Sequence, residues 1–165
     1  MRCNHVGIEY RSKPEREESD ALCRNRGAGS GWLAVWEEEG VLASAYYASV
    51  TELAVALHAV AVVGVDIPIG LSEHAPRAAD RQARQFVGRR ACSVFAAPLR
   101  GMLHASTQAQ ASAMHRVLDH DKQRGFGARS FALLAKIREW DRALRADLAW
   151  AEHVFEVHPE VSDSD

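Results

Sequence analysis

Hydrophobic residues change their spacing several times along this chain, and each change predicts an element. Gly31-Trp32-Leu33-Ala34-Val35-Trp36 reads as a strand, Glu37-Glu38-Glu39-Gly40 as a turn, and Val41 to Ser49 as a second strand in which Tyr46 and Tyr47 supply β-propensity. So short a turn predicts an antiparallel hairpin. Thr51 is a candidate cap for a helix over 52–59 that carries Leu53, Ala56 and Leu57 on one face. The run Val60-Ala61-Val62-Val63-Gly64-Val65 is apolar without alternation, which suits a central strand covered on both faces. Pro68 lacks a ladder donor and ends the pairing.

Residues 76–88 read as a helix, 92–98 as a non-helical segment, and 105–120 as a helix rich in Ala and Gln, with a break at Gly125-Phe126-Gly127. The clearest helical period covers about 130–150. Ser130 is its candidate cap; Phe131, Leu134, Ile137, Leu144 and Leu148 form its stripe, and Asp141 and Arg145 pair on its flank. Val154 to Glu160 reads as the last strand. Residues 11–30 are polar and rich in Arg, Glu, Ser and Gly, so they read as a linker or a poorly formed loop, with order beginning at Gly31. A hairpin, a helix, a buried strand, helices and a final strand predict an α/β fold on a mixed sheet.

Composition narrows the class. A chain of 165 residues fits one domain, and 47% hydrophobic with 25% charged residues is ordinary for a globular protein. The net charge of -2 speaks neither for nor against a nucleic-acid partner, so only local patches inform. Cys3, Cys23 and Cys92 are odd in number and widely spaced, with no C-x-x-C pattern. That argues against a disulfide framework or a zinc site and for a reduced, cytoplasmic protein. The first 20 residues contain no apolar signal core, and nowhere do 18 apolar residues follow one another, so no membrane association is expected.

Three features carry candidate chemistry. Asp66 stands at the carboxyl end of the buried strand, where ligands collect in open α/β sheets. An ionised carboxylate there calls for a metal, an arginine or backbone donors, the last being available within the Pro68-Ile69-Gly70 turn. Strand alternation places Glu156, His158 and Glu160 on one side, with Phe155 and Val157 on the other. Two carboxylates and an imidazole suit a hard divalent cation, or equally the solvated side of an edge strand. Between Arg77 and Arg100 the chain has Arg77, Arg81, Arg84, Arg89, Arg90 and Arg100 against only Asp80, six cations to one anion. Such a strip suits phosphate oxygens, or forms a solvated helix face; no aromatic interleaving for base stacking is read there. His115 and Asp119, spaced i,i+4, could chelate a metal but fit an exposed helix face better.

These stretches together resemble domain-of-unknown-function family 429, described as predicted RNase H-like nucleases. The matching segments are Gly31 to Val35, Gly64 to Leu71, Arg77-x-x-Asp80-x-x-Ala83-Arg84, Ser93-Val94-Phe95 with Ala97-Pro98, Lys136-Ile137-x-Glu139-x-Asp141, and Glu156 to Val161. They come in the family's order over about residues 29–161. The resemblance implies an RNase H-like fold: three antiparallel strands, a helix, then parallel strands. It also implies a Mg²⁺- or Mn²⁺-dependent nuclease acting on nucleic acid or another phosphodiester. Carried over by position, Asp66, Glu156, His158 and Glu160 become catalytic candidates, with Asp66, Glu156 and Glu160 as metal ligands. Arg77, Asp80, Arg84 and Arg90 become substrate-side candidates.

Two departures qualify that expectation. The family's first strand reads Gly-Val-Asp-Gly, and counting back from Trp32 puts Arg26 where its aspartate belongs. Val6-Gly7-Ile8-Glu9 is a faint echo, from which Glu9 would substitute only on a differently threaded first strand. Members also usually continue past the His-Pro-Glu segment, whereas this chain stops at Asp165. Residues 1–28 are therefore expected to be poorly structured or divergent, and 29–165 to be an RNase H-like domain incomplete at its C-terminus. The alternative to a nuclease is an inactive remnant, or a binding module for nucleic acid or a partner, lacking the first-strand aspartate.

Overall fold

A computed structural model describes residues 5–12, 30–38, 40–118, 126–158 and 161. Contacts divide the chain into two compact units: Met1–Asp66 with Ala146–Phe155, and Ile67–Arg145 with Glu156–Asp165.

The first unit is built on a five-stranded sheet in the order β3-β2-β1-β4-β5. Its strands are β1 (His5–Ser12), β2 (Ser30–Glu38), β3 (Val41–Tyr47), β4 (Val62–Val65) and β5 (Val154–Glu156). β2 pairs antiparallel with both β1 and β3, whereas β1 and β4 run parallel. The predicted hairpin is thus β2–β3. Its turn needs Gly40, whose φ of 80° is a conformation that L side chains rarely adopt. Trp32 and Ala34 of β2 are fully buried, as are Val63 and Val65 of β4. The α1 helix (Val50–Leu57) adds buried Val50, Leu53 and Leu57. Its cap is Ser49 rather than Thr51: Ser49 Oγ accepts from the Glu52 N–H at 3.2 Å, and Glu52 Oε2 accepts from the Ala48 N–H at 3.0 Å. This reciprocal arrangement satisfies two donors at the helix start.

The expectation that order begins at Gly31 is corrected. β1 falls inside the segment read as poorly structured or divergent, and it is the central strand of the sheet. Val6, Ile8 and Tyr10 alternate with His5, Gly7 and Glu9, which is the period of a strand. That signal is short, and the polar stretch behind it hides it. Arg26, the position counted back from Trp32, lies outside the described residues.

The last strand also ends earlier than expected, at Glu156 instead of Glu160. Pro159 accounts for this, because a proline restricts the residue before it and offers no ladder donor. Val154 is buried and Phe155 is 52% exposed, so Glu156 shares the face of Val154. The Val63 N–H donates to His153 O at 2.8 Å at the approach to β5.

The second unit is helical: α2 (Ala78–Val87), a 3₁₀ turn at Gly88–Arg90, a second at Arg100–His104, α3 (Gln108–Leu118) and α4 (Ala128–Ala146). Leu134 and Ile137 of the predicted stripe are buried on α4, and so is Trp140, which the stripe did not include. Ser130 lies inside α4 and is buried, so it is not the cap. The helix stops at Ala146, and Leu148, expected in the same stripe, begins the short α5 (Leu148–Ala151) and is 72% exposed. Asp147 makes the restart: its Oδ1 accepts from the Trp150 N–H at 2.9 Å as the cap of α5.

A close approach in β2 gives the first testable consequence. A Cβ at Gly31 would meet the Tyr46 ring and the Tyr47 carbonyl. Gly31→Val is expected to cost about 1–3 kcal/mol through overpacking, read as a lower denaturation midpoint. Tyr46→Ala in the Gly31→Val background should recover part of that loss.

Candidate functional site

Arg77 precedes α2 in an extended conformation, which turns its side chain away from the helix axis. Its guanidinium has five N–H donors in a rigid fork, and all five are engaged. Nε donates to Asp80 Oδ1 at 3.0 Å, and Nη2 donates to the same oxygen and to Glu156 Oε1 at 2.9 Å. Nη1 donates to Glu156 Oε2 at 2.6 Å and to Ile69 O. The side chains of Arg77 and Asp80 are only 11% and 8% exposed.

The two carboxylates are used as fully. Asp80 Oδ2 accepts from the Ala97 N–H at 3.1 Å, and Glu156 Oε2 accepts from the Ile69 N–H at 3.1 Å. One guanidinium thereby ties together α2, the turn after Asp66, the segment before Pro98 and the end of β5. Burial by itself works to lower the Arg77 pKa. The hydrogen bonds and negative charges of Glu156 and Asp80 more than offset it, so the guanidinium is held above its ordinary range. A raised pKa means that the contribution of the cation to stability is complete below the ordinary arginine value and fades only as pH rises beyond it.

A second arginine secures the same turn. Arg100 Nη2 donates to Leu71 O at 3.1 Å, its backbone N–H donates to Ser72 O at 2.8 Å, and its side chain pairs with Glu73 at 2.9 Å. Arg100 Nη1 also pairs with Asp141 at 2.5 Å, whereas the predicted Asp141–Arg145 pair is looser, at 4.0 Å.

The basic strip is therefore divided. Arg77 and Arg100 face inward, and Arg84 spends Nε and Nη2 on Val94 O at 3.1 and 3.0 Å. No N–H of Arg77 remains for a phosphate. Arg81, Arg89 and Arg90 are exposed, and so is Phe86, at 61%. The exposed aromatic amid the arginines is a feature that the sequence reading passed over. Its signal was available in the helical pattern, because Phe86 sits among Arg and Gln on a helix whose one buried residue is Asp80.

Asp66 follows β4 directly and is exposed, between buried Val65 and Ile67. In the turn behind it, the Ile69 N–H serves Glu156. The β1–β4 register runs from His5↔Val62 to Ile8↔Val65. The pairing ends there, one residue before Glu9 on β1 and one before Asp66, which follows the end of β4. Glu9 thus lies in the central strand, one residue past its last pair with β4. His158 is half-buried beyond the end of β5, and its carbonyl accepts from the Val161 N–H at 2.9 Å. Glu160 and Asp119 lie outside the described residues. His115 stacks at a tilt on Phe126, with ring centroids 6.1 Å apart.

These placements bear on a divalent ion. Both oxygens of Glu156 accept from Arg77, so a cation there would compete with a bidentate guanidinium, and the residue does not fit a ligand role in this arrangement. Asp66 and Glu9 are hard oxygen donors of the type that Mg²⁺ and Mn²⁺ prefer. Among the described residues, no group of three or more His, Cys, Asp and Glu is placed to hold a metal. An ion at Asp66 would take its remaining ligands from water and phosphate, as magnesium usually does.

The fork makes a stability prediction. Arg77→Met leaves Asp80 buried beside an unmatched Glu156 and is expected to cost about 3–5 kcal/mol. Arg77→Lys should recover only part, since a point charge cannot serve both carboxylates. An unfolding midpoint equal to the parent's for Arg77→Met would overturn the role given to the fork.

Comparison with known proteins agrees with the resemblance. No curated protein and no solved structure matches the chain. Among the described residues, no helix is long and apolar enough to cross a membrane. A family model matches residues 20–163, a stretch that starts after β1. The chain accordingly belongs to the family described as "Protein of unknown function (DUF429)".

Proposed function

We propose that this chain is a divalent-metal-dependent phosphodiesterase of the RNase H-like kind, acting on nucleic acid, with Asp66 and Glu9 as its acidic pair. The observation that supports the reading is the β1–β4 register, whose last pair, Ile8↔Val65, is followed on each chain segment by an acidic residue, Glu9 in β1 and Asp66 just past β4. Ligands collect at that edge of an α/β sheet. Two carboxylates that share a site repel each other, and a dication relieves the repulsion. A bound Mg²⁺ or Mn²⁺ would supply Lewis-acid activation of water and neutralise charge at the phosphate. Asp66 and Glu9 would hold and orient that ion.

The other assigned residues take supporting parts. Glu156 and Asp80 act through Arg77, and Asp66 is exposed at the end of β4. Arg90 remains a phosphate-side candidate because it is exposed. His158 keeps its expected role of orienting water or a ligand, and Glu160 its expected role of a metal ligand.

A second reading has its own support. Exposed Arg81, Arg89 and Arg90 with Phe86 fit a module that binds single-stranded nucleic acid without cutting it.

The test is cleavage of labelled RNA, DNA and RNA–DNA hybrid with Mg²⁺, with Mn²⁺ and with chelator. The expected result is metal-dependent cleavage that falls on the order of 100-fold or more in Asp66→Asn and in Glu9→Gln. Equal rates for Asp66→Asn and the parent would sink the assignment. Binding of the oligonucleotides in chelator without cleavage in either metal would favour the module.

A further inference from the structure

A cleft of about 430 Å³ opens in the second unit between the segment Leu103–Ser106 and α4. That volume lies in the range of small-molecule sites. Along α4 its wall is formed by Phe131, Ala135, Arg138 and Arg142, at i, i+4, i+7 and i+11 on one helical face. The wall spans about 16 Å of helix and is apolar at one end and cationic at the other.

The cationic end is preorganised. Arg138 Nε donates to Leu103 O at 2.6 Å and Nη2 donates to Ala105 O at 3.4 Å, and both of those residues line the cleft. The guanidinium is therefore held before any ligand arrives, which lowers the entropic cost of binding. Arg142, one turn on, is exposed and has no ion-pair partner among the described residues. No Asp or Glu lines the cleft. Two arginines without a carboxylate suit an anion that takes paired, charge-assisted hydrogen bonds. Phe131 and Ala135 at the other end offer an apolar wall for a flat body.

We propose that this cleft binds a nucleoside monophosphate, with the base against Phe131 and the phosphate at Arg138 and Arg142. His104 and Ser106, on the wall facing α4, supply polar groups for the sugar. The mixture decides against a fatty carboxylate. Four of the ten lining residues are polar, which would leave an aliphatic tail partly against polar groups. A single carboxylate would also leave one of two arginines unmatched.

Titration of the full chain with adenosine 5′-monophosphate, by calorimetry in chelator, tests the proposal. The chelator separates it from the divalent-ion reading of Asp66, and Asp66→Asn should bind the nucleotide as the parent does. Saturable binding is expected, with adenosine and inorganic phosphate each weaker by about 10-fold or more. Arg142→Glu should weaken the nucleotide by about 10-fold or more. It replaces an exposed side chain and should leave folding intact, checked by circular dichroism. Arg129→Glu, exposed on α4 outside the cleft, should bind as the parent. The proposal is overturned by an absence of saturation at millimolar nucleotide, by parental affinity in Arg142→Glu, or by decanoate binding more tightly than the nucleotide.

Discussion

One guanidinium holds the second unit in register with itself. Arg77 gives all five of its donors to Asp80, Ile69 and Glu156, and the last of these lies 79 positions away in the chain. A charge buried this deeply is tolerated only when it is matched and fully hydrogen-bonded. The match is strict in both directions, because the carboxylates that neutralise Arg77 also satisfy the N–H groups of Ile69 and Ala97. Removing any member leaves another polar group buried and unsatisfied.

The same constraint explains why residues that look catalytic in a list are not equivalent in space. Glu156 and Asp80 are carboxylates near strand and helix ends, which is where a metal site would recruit them. Their oxygens are instead occupied by arginine and backbone donors. Asp66 is exposed between buried Val65 and Ile67. The division of the arginines follows the same rule: Arg77, Arg84 and Arg100 find carbonyls and carboxylates inside, and Arg81, Arg89 and Arg90 are exposed, Arg81 with Nη1 on Pro76 O at 2.8 Å. Six arginines counted as one positive strip are in fact three structural clamps and three surface charges.

Much of the architecture could be read in advance. The β2–β3 hairpin has strong β-formers on either side of a turn with Gly40. The unbroken apolar run into Asp66 gave β4, and the spacing of Leu134 and Ile137 gave α4. The failures have local causes. Ser49 wins the cap of α1 over Thr51 because Glu52 stands three residues after Ser49 and completes the reciprocal bonds. Leu148 leaves the α4 stripe because Asp147 caps a new helix. His158 does not continue the alternation of β5, because the strand is over at Glu156.

The sequence by itself determined the class of the fold, the family, the run that ends in Asp66 and the positions of most helices. These depend on periodicity and on turn residues, which are properties of neighbours along the chain. Only the tertiary structure decided which strand is central and which arginines are clamps. β1 is central because β2 and β4 both pair with it, and neither partner can be read from its eight residues. The partners of Arg77 lie 3, 8 and 79 positions away. No local pattern encodes the two longer separations; they are set by packing, which decides where a buried charge finds its match.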